Sequence, residues 1–596
     1  MAAESGACYC SLIDEVHRTP MTPQGWLQIA LTLLIAFLIS VPAGRYLGRV
    51  FMDRKTIFDP VFDPIDDLIY RLTGRKLVSM PMNWKSYTLH MLATNLVMLL
   101  IIFFILIFQG YLPLNPRHFA GMEPMLAFNT AISFITNTDW QNYGGESTLS
   151  NLSQMAAITF PMFTSAATGF VVAMAFIRAF VVKDGGANLG NFYRDMTRLL
   201  TRVLIPPTFI LGLFLVWQGS PQTLTTSVLA HPIQGGLQII RLGPVAAFES
   251  IKHLGTNGGG FFNANAAHPF ENPTPLSNLL LTILMMSLPA AIVICFGEMI
   301  ANRRQAWVLY GLMAAMLMAM LPLAVIPEQH GTTMLARAGI ETTATPVQSG
   351  GNMEGKEVRF GITESALFAT VTTTFTTGSV NTMHDSLTPL GSIPTLSGMM
   401  LQCVFGGKGV GFLNALVYGL IAVFIAGLMV GRTPEFLGKK IERPEIILVS
   451  LTLLIHPLVI LAPSSLSMVM PYGVSSLGNA AMHGYSEVLY AFASSAANNG
   501  SAFAGLNGNT AWYNLALGIV ILIGRYPPII FMMAAAGSVA AKPSSPPSVG
   551  SLRTDTLQFG VFWLAVILIV GALAFFPALI LGPVAEFFAM KRGLLF

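Results

Sequence analysis

Charged residues are scarce in this chain. Only 10% of its 596 residues are Asp, Glu, Lys or Arg, whereas 53% are hydrophobic, and the mean hydropathy is +0.64. About a quarter of the residues in an average soluble domain are charged, so this composition excludes a soluble globular protein. It indicates instead a membrane protein that crosses the bilayer many times.

Cysteines and catalytic motifs are scarce as well. The four cysteines include no Cys-x-x-Cys pair, and no histidines cluster at the spacing of metal ligands. Cys295 and Cys403 lie in apolar segments and are expected to be core residues, while a metal or disulfide role for Cys8 and Cys10 is the less favoured alternative. The motifs GxxxxGK[ST], Asp-Lys-Thr-Gly, GxSxG and HExxH are missing. The sequence therefore predicts no catalytic residue and no means of hydrolysing ATP within this chain.

Ten apolar runs are long enough, at roughly 20 residues, to cross a bilayer as helices. They are residues 25–44, 86–109, 153–181, 197–218, 275–300, 306–327, 390–431, 442–463, 511–535 and 557–585. The seventh run is too long for one span and is interrupted at Gly406-Gly407-Lys408-Gly409. An even number of spans places both termini on the same side of the membrane.

Lysine and arginine are distributed unevenly between the loops of the two sides. Of the 32 basic residues, 22 lie in one set of connections and nine in the other, with Lys408 inside the interrupted run. The richer set comprises 45–85, 178–203, 301–305, 432–443 and 525–553. Cytoplasmic loops are enriched in Lys and Arg, so this set is predicted to be cytoplasmic and both termini are predicted to be outside.

Four loops containing threonine, asparagine or glycine recur on the outer side, and their first residues are 120 or 121 positions apart. They are Thr136-Asn137-Thr138, Thr256-Asn257-Gly258-Gly259-Gly260, Thr377-Gly378-Ser379 and Asn498-Asn499-Gly500-Ser501. Each follows a short stretch predicted to be helical, at 124–135, 244–255, 363–375 and 487–497. A constant period indicates structural repeats. The predicted fold is all-α, with ten transmembrane helices and four parallel membrane helix–pore loop–membrane helix repeats around one axis.

These loops suit the binding of a cation. Non-helical backbone is tolerated at membrane depth only where it is buried in protein or lines a cavity. Loop carbonyls can then replace the hydration shell of an ion, and the carboxyl ends of short helices add partial negative charge. Neutral oxygen ligands fit a monovalent cation such as potassium, since calcium or magnesium would favour carboxylates, and the nearest acid is Asp139. Ordinary turns are the simpler alternative, but four equally spaced copies argue against them.

Two polar residues outside the loops are candidates for a role in ion passage. Gln141 follows the first loop, where it is a candidate for the filter entrance. Lys408 is costly inside a membrane, and with Gly407 and Gly409 it is a possible gate below the loops. The alternative for Lys408 is a side chain that reaches water or a carboxylate.

Several long motifs resemble the KdpA family, the potassium-binding subunits of bacterial potassium-transporting ATPases. The most specific is Ile251 to Asn265, which continues into His268-Pro269-Phe270-Glu271-Asn272-Pro273-Thr274. Further matches are Gln109-Gly110-Tyr111-Leu112-Pro113-Leu114-Asn115-Pro116, Phe134 to Gln141, Met383-His384-Asp385-Ser386, Gly431-Arg432-Thr433-Pro434-Glu435 and Ser501-Ala502-Phe503-Ala504-Gly505. The resemblance covers nearly the whole chain from about residue 25, in order.

This resemblance implies a function and a set of ion-binding residues. The chain would select K⁺ at an extracytoplasmic filter and pass it through a tunnel to a P-type ATPase subunit (KdpB-like), which would bind ATP and Mg²⁺. Small accessory subunits (KdpC-like and KdpF-like) and membrane lipid would be the other partners, with no nucleic acid, in a bacterial inner membrane. The family's ion-binding loops correspond to Thr136, Asn137, Thr138, Thr256, Asn257, Gly258, Thr376, Thr377, Gly378, Asn498, Asn499 and Gly500. K⁺ would be the transported ligand, and no other cofactor is expected on this chain.

The sequence departs from the family pattern in three places. Residues 1–24 extend beyond the family's usual start, and Lys408 stands where a small or apolar residue is expected. The third loop reads Thr376-Thr377-Gly378 where some relatives have Ser-Cys-Gly, but a threonine keeps an oxygen ligand, so the same function is expected. The chain is expected to begin with an extracytoplasmic tail (1–24) and a first helix with its cytoplasmic loop (25–85). Four pore repeats follow (86–195, 196–305, 306–441 and 442–553), and a last helix ends the chain (554–596).

Two other functions remain open from the residues alone. A stand-alone Trk-type potassium channel or cation symporter would share the fold, and the repeats by themselves do not separate it from an ATPase subunit. A membrane-embedded enzyme such as a lipid transferase would need a catalytic carboxylate, His or Cys in a cavity, and the sequence offers no convincing set.

Overall fold

The computed structural model describes residues 23–183, 185–345, 348–545 and 552–594. Ten helices in these ranges are long and apolar enough to cross a membrane, as predicted. The first 22 residues of the predicted N-terminal tail, with Cys8 and Cys10, lie outside the described residues. The spanning helices all lie close to the predicted runs, except that the seventh is much shorter.

The chain begins with the spanning helix α1 (Pro23–Phe51), followed by α2 (Asp59–Thr73) and α3 (Arg75–Ser79). Helix α1 packs along the helix Pro275–Met299, where glycines let the two backbones approach closely. A methyl group on Gly44 would lie 2.6 Å from Cβ of Ile294, and one on Gly48 would lie 3.0 Å from Cβ of Glu298. Small residues at contacts of this kind are typical of helix packing in membranes.

After α3, one order of elements occurs four times: a spanning helix, a short helix, a loop and a second spanning helix. The first unit contains α4 (Trp84–Phe108), α5 (Pro124–Ile135), α6 (Gly145–Thr148) and α7 (Phe160–Val181). The second contains α8 (Phe192–Leu199), α9 (Ile205–Gln218), β1 (Ser227–Ala230), β2 (Gln238–Arg241), α10 (Val245–Leu254) and α11 (Pro275–Met299). Strands β1 and β2 pair antiparallel, with Ser227 opposite Arg241.

The third and fourth units have the same order. The third contains α12 (Arg303–His330), α13 (Thr333–Arg337), α14 (Gly361–Thr374), α15 (Pro389–Leu401) and α16 (Val410–Val430). A small antiparallel hairpin, β3 (Glu435–Phe436) and β4 (Lys439–Lys440), leads to the fourth. The fourth contains α17 (Arg443–Val469), α18 (Pro471–Val474), α19 (Ala481–Ala496) and α20 (Ala511–Ala540).

The chain ends with α21 (Leu557–Leu579) and α22 (Ala585–Lys591). Tighter and wider turns occur at several helix ends. The 3₁₀ turns are Gln109–Tyr111, Asn265–Ala267 and His384–Ser386, and the π-helical turns are Ser153–Thr159, Leu200–Leu204 and Ile580–Val584. The π-helical turns lead directly into α7, α9 and α22 and lie within the spanning segments Ser153–Val181, Phe192–Gln218 and Leu557–Lys591. The last of these is kinked at Gly582, whose backbone is not helical.

Local sequence explains where many of these helices begin. Glu123 accepts a hydrogen bond from the backbone N–H of Leu126 at the start of α5, and Thr274 forms a reciprocal capping box with Ser277 at the start of α11. Such caps satisfy N–H groups that lack a partner within the helix. Pro124 and Pro275 occupy first-turn positions, where a missing N–H costs nothing.

The predicted seventh span, 390–431, is in fact two helices. Helix α15 ends at Leu401, α16 begins at Val410, and the residues between them form the predicted break. Five of those residues have positive φ angles, which a helix cannot accommodate. They are Gln402 (48°), Phe405 (60°), Gly406 (59°), Lys408 (51°) and Gly409 (79°). The predicted short helix at 487–497 begins earlier, at Ala481.

The spanning helices differ in how deeply they are buried. In the most apolar window of each helix, 89% of residues are buried in the segments Ser153–Val181 and Pro275–Met299, against 22% in Trp84–Tyr111 and Arg443–Val469. A helix that is apolar on all sides and exposed suits contact with lipid, while a buried one belongs to the interior. The second spanning helices of the first two units therefore lie at the centre of the protein.

Candidate functional site

The four predicted loops begin at equivalent backbone positions. One residue after the cap of each short helix, the chain turns into the left-handed region, at Asn137 (φ 61°), Thr256 (50°), Thr376 (51°) and Asn498 (51°). In the structure, Asn137 of the first loop corresponds to Thr256 of the second. The sequence pattern instead aligns Thr136 with Thr256, so the first loop is shifted by one residue. Asp139 therefore occupies the position that a glycine holds in the other three loops, at Gly258, Gly378 and Gly500.

The four loops meet at one point. A methyl group on Gly258 would lie 2.5 Å from the carbonyl oxygen of Thr138 and 2.8 Å from that of Asn499. One on Gly378 would collide with the same Asn499 carbonyl, and one on Gly500 with the Thr138 carbonyl. These contacts join loops that are more than 100 residues apart in sequence. Glycine is required here both by the close approach and, at Gly378 and Gly500, by φ angles of 88° and 104°.

Asparagine side chains tie neighbouring loops together. Asn137 donates to the carbonyl oxygen of Thr256 (2.8 Å), and Asn257 donates to Oδ1 of Asn137 (2.7 Å). Asn498 donates to the hydroxyl of Thr138 (3.0 Å), which joins the fourth loop to the first. Because each bond crosses between repeats, the loops support one another rather than being held singly.

Several buried oxygens in the loops have no hydrogen-bond partner among the residues that the structure describes. They include Oγ1 of Thr256, Thr376 and Thr377, and Oδ1 of Asn498. All four side chains are at most 1% exposed. An unpaired buried oxygen is costly and needs an explanation. Coordination of a cation would provide one, and the converging carboxyl ends of the short helices favour positive charge at the same place.

Gln141 lies beside the outer end of the second loop. Its Oε1 accepts a hydrogen bond from the backbone N–H of Gly260 (2.7 Å), and its Nε2 donates to the hydroxyl of Tyr143 (3.2 Å). The side chain therefore holds the glycine-rich backbone of the second loop. Its role at the filter entrance stays a prediction.

A buried charge cluster supports the second loop. The ammonium of Lys252 lies 2.6 Å from Glu249 and 2.7 Å from Glu271, and all three side chains have no exposed surface. Glu271 also accepts from the backbone N–H of Phe262 (2.7 Å), and Asn265 joins Lys252 (2.9 Å) to the carbonyl of Gly259 (2.7 Å). The cluster thus fixes the chain just outside the loop.

The third loop has a similar support. Lys356 and Glu328 form a fully buried ion pair at 2.6 Å. Glu328 also accepts from the backbone N–H (2.6 Å) and the hydroxyl (2.7 Å) of Thr388, and from the amide of Asn352 (2.8 Å). The carboxylate therefore joins the end of α12 to the segment that follows the third loop.

A third charged group joins the third and fourth units and was missed by sequence reasoning. His483 lies between two carboxylates, with Nδ1 2.8 Å from Glu586 and Nε2 3.2 Å from Asp385. Atoms of Asp385, His483 and Glu487 that could ligate a metal lie within 4.8 Å of one another. Both ring nitrogens are already engaged with carboxylates, so the geometry is that of an ion bridge. The residues are about 100 positions apart, and spacing alone gave no signal.

The break between α15 and α16 lies directly against the four loops. A methyl group on Gly407 would lie 2.5 Å from the carbonyl oxygen of Phe375 and 2.6 Å from the hydroxyl of Thr256. The ammonium of Lys408 donates to the carbonyl oxygen of Asn137 (2.5 Å) and to that of Asn498. Lys408 is therefore hydrogen-bonded to the loops themselves.

Arg525 is a second buried cation near the loops, and the prediction that it begins a cytoplasmic connection is wrong. It lies within α20, is 2% exposed, and donates to the carbonyl oxygen of Ser165 (3.3 Å). The predicted span 511–535 overlaps the predicted connection 525–553, and Arg525 belongs to the span, because it lies in the middle of α20 (Ala511–Ala540). The predicted orientation does not depend on this one charge.

A cavity of about 320 Å³ lies between α15, α16, α17, α20 and α21. Its lining is mostly apolar, with polar atoms from Gln402, Asn414, Thr452 and His456. Gln402 donates to the carbonyl oxygen of Ala497 (2.7 Å), the residue that precedes the fourth loop, and accepts from Asn414 (3.0 Å). These two amides connect the base of the loops with the cavity.

Comparisons with known proteins agree on one family. The family model described as the potassium-transporting ATPase A subunit, KdpA, matches residues 30–588. The potassium-transporting ATPase potassium-binding subunit of Geobacillus kaustophilus (strain HTA426) is 50% identical over 564 residues, which are 95% of this chain and 99% of the relative. The protein of the same name from Delftia acidovorans is 49% identical over 568 residues, with the same two coverages.

Among solved structures, the crystal structure of the potassium transporter TrkH from Vibrio parahaemolyticus matches with a TM-score of 0.49 and 14% identity. The alignment covers 86% of this chain and 98% of TrkH.

We expect Glu271→Ala to destabilise the protein by about 1–3 kcal/mol, because it leaves the buried N–H of Phe262 without its acceptor and removes one of the two carboxylates around Lys252. The unfolding temperature of the purified protein measures the effect. Glu357→Ala is the matched control, since Glu357 is 40% exposed and lies 3.7 Å from Arg359, and it should cost at most about 0.5 kcal/mol. Equal shifts in the two variants would show that the buried cluster does not support the fold.

The ion bridge at His483 predicts a pH-dependent stability. Burial alone lowers the pKa of this histidine, but Asp385 and Glu586 outweigh burial and raise the pKa to about 10. In the unfolded chain the histidine pKa is about 6.5. The bridge therefore contributes its full stability below about pH 6.5 and loses it as the pH rises towards 10.

Thermal unfolding measured across this pH range should show a steeper loss for the unchanged protein than for His483→Gln. His330→Gln, at an exposed histidine, should retain the steep loss. The idea fails if removing His483 leaves the pH dependence unaltered.

Proposed function

Because the chain belongs to the KdpA family of potassium-transporting ATPase A subunits, we propose that its four loops are the potassium filter of that ATPase. The chain is the potassium-binding subunit, a multi-pass protein of the bacterial inner membrane, and K⁺ is its transported ion. The relatives match over their full length at about 50% identity, so the alternative of a stand-alone Trk-type transporter is not favoured.

The observation that carries the filter proposal is the meeting of four loops with unpaired buried oxygens. Backbone carbonyls and threonine hydroxyls from these loops surround the point of contact and would replace the water around a K⁺ ion. Asn137 and Asn257 hold the loops at the spacing that the ion requires, through their bonds between repeats. The filter residues are Thr136, Asn137, Thr138, Thr256, Asn257, Gly258, Thr376, Thr377, Gly378, Asn498, Asn499 and Gly500.

The register of the loops adds Asp139 to this set. Its side chain is fully buried, and one carboxylate oxygen accepts from the backbone N–H of Gly258 at 3.2 Å. Gln141 forms the outer mouth, where it keeps Gly260 in place and presents a neutral amide to the arriving ion. An uncharged entrance admits a cation without binding it so tightly that it cannot move on.

The ion does not continue straight along the axis in this proposal. The segment Gly407, Lys408 and Gly409 closes the base of the loops and acts as a gate. The cavity beside it offers a lateral exit past Gln402 and Asn414 towards a partner subunit. The polar atoms of these amides would replace part of the ion's hydration along a path that is otherwise apolar.

The energy for transport comes from another chain. As a subunit of a potassium-transporting ATPase, this chain works with an ATPase partner. We propose that this partner is a P-type subunit (KdpB-like) that binds ATP and Mg²⁺, and that small KdpC-like and KdpF-like subunits complete the complex. Selection of the ion and hydrolysis of ATP are then divided between two chains.

The filter proposal predicts a specific effect of Gly258→Ala. The new methyl group would meet the carbonyl oxygens of Thr138 and Asn499 at 2.5 and 2.8 Å, so the loops must separate. The half-saturating K⁺ concentration for ATP hydrolysis by the assembled complex should rise by about tenfold or more, equivalent to roughly 1.4 kcal/mol of lost binding. Gly311→Ala is the matched control, because nothing lies within 4 Å of its added methyl group. An unchanged half-saturating concentration in Gly258→Ala would contradict the filter assignment.

The exit proposal predicts a different effect of Thr452→Trp, which fills the cavity from α17. Maximal K⁺-stimulated ATP hydrolysis should fall, while K⁺ binding at the filter is unaffected. Leu458→Trp changes a residue of the same helix that is 63% exposed and should leave the maximal rate unchanged. If the complex with Thr452→Trp keeps its maximal K⁺-stimulated rate of ATP hydrolysis, the ion leaves by another route.

A further inference from the structure

We propose that the ammonium of Lys408 occupies the innermost cation position of the filter, as a tethered substitute for one K⁺ ion, with Asp139 as its counter-charge. This inference rests on the proposed role of the four loops as a potassium filter. The proposed gate only closes the path below the loops. The present inference adds that the Lys408 ammonium fills one of the cation-binding positions of the filter.

The contacts of the amino group carry the inference. Lys408 is 1% exposed, and its ammonium donates to the carbonyl oxygens of Asn137 and Asn498. These two residues hold equivalent positions in the first and fourth loops, each being the first left-handed residue after its short helix. Their carbonyls are thus the kind of oxygen that a filter offers to a cation. An ammonium group, a compact positive charge with three donors, takes the same ligands.

The backbone around Lys408 holds the side chain in this position. Lys408 itself has a φ of 51°, which is uncommon for a residue with a side chain and persists only where the surroundings impose it. Gly406 donates from its backbone N–H to the carbonyl of Thr374 (3.1 Å), at the end of α14. On the other side, a methyl group on Gly169 of α7 would collide with the carbonyl of Lys408. The segment is therefore fixed between α14 and α7.

The charge of Lys408 needs compensation, because an isolated ammonium inside a membrane protein is costly. The ionisable groups that interact with it are Asp139 and Arg525. Asp139 is fully buried, and its Oδ1 has no hydrogen-bond partner among the described residues. It also stands where the other three loops have glycine. Asp139 is therefore paired electrostatically with Lys408 and offsets one of the two buried positive charges, Lys408 and Arg525.

This pairing has a direct consequence for occupancy. With the ammonium in place, the filter holds one K⁺ fewer than its ligands allow, and the path below the innermost position is closed. An ion can pass towards the exit cavity only when the segment with Lys408 moves aside. Lys408 is then a residue that determines permeation, and a purely structural lysine would not change the number of bound ions.

Ion positions in the assembled complex test the proposal, with Tl⁺ in place of K⁺ and its anomalous signal as the readout. The unchanged protein should show Tl⁺ in the outer part of the filter and none between the carbonyls of Asn137 and Asn498. Lys408→Met should gain one Tl⁺ peak at that position. Lys408→Arg, which keeps the charge, should not gain it.

If Lys408→Met does not assemble, Lys408→Gly removes the ammonium while suiting the left-handed backbone, and it should gain the same peak. A Tl⁺ peak between these carbonyls in the unchanged protein, or no new peak in either neutral variant, would overturn the proposal. Absence of Tl⁺ from the whole filter in every protein would instead contradict the proposed function. The two failures are therefore distinguishable.

Discussion

The structure depends on one constraint: backbone that leaves a helix inside a membrane protein must find partners for its N–H and C=O groups. Four loops meet this constraint by using one another. Asn137 and Asn257 bond across the boundary between the first and second loops, and Asn498 reaches the first loop from the fourth. The backbone N–H groups of the loops donate back to carbonyls of their own short helices, as from Thr138 to Ser133 and from Asn257 to Lys252. With the asparagine amides used between loops, carbonyl and hydroxyl oxygens remain available at the centre. The arrangement that makes the loops stable is thus the same one that makes them a site for a cation.

Buried ion pairs extend this support outwards. Lys252 with Glu271 fixes the second loop, and Lys356 with Glu328 fixes the segment after the third. Burying both charges of an ion pair costs free energy. Separating the two charges inside the protein would cost more, so the pair holds its residues in one arrangement. A filter must hold its ligands within fractions of an ångström, and rigid ion pairs of this kind keep the loops in place. The exposed spanning helices, by contrast, need only be apolar and long enough.

The sequence revealed the helices and the repeat more readily than the site. Long apolar runs, a constant period and the glycine-rich break at residues 406–409 predicted ten spans, four loops and an interrupted helix. The register of the first loop could be read only from the backbone angles. In sequence Thr136-Asn137-Thr138 resembles the later loops, but in the structure Asp139 is the residue equivalent to Gly258. The bridge of His483 with Asp385 and Glu586 was not predictable from spacing, since the three residues come from distant segments. Arg525 showed the limit of charge counting, because a basic residue counted with a cytoplasmic loop lies in the middle of a spanning helix and is buried.

The central claim is that all four loops bind K⁺ together. Backbone hydrogen–deuterium exchange of the assembled complex, titrated with K⁺ and separately with Na⁺, tests it most directly. Ligand binding to the folded state slows exchange in the segments that it holds. The account predicts that K⁺ protects residues 136–139, 256–260, 376–379 and 498–501 with one common half-saturating concentration, and that Na⁺ at the same concentrations does not. Protection of a single loop, separate concentrations for different loops, or equal protection by Na⁺ would contradict it.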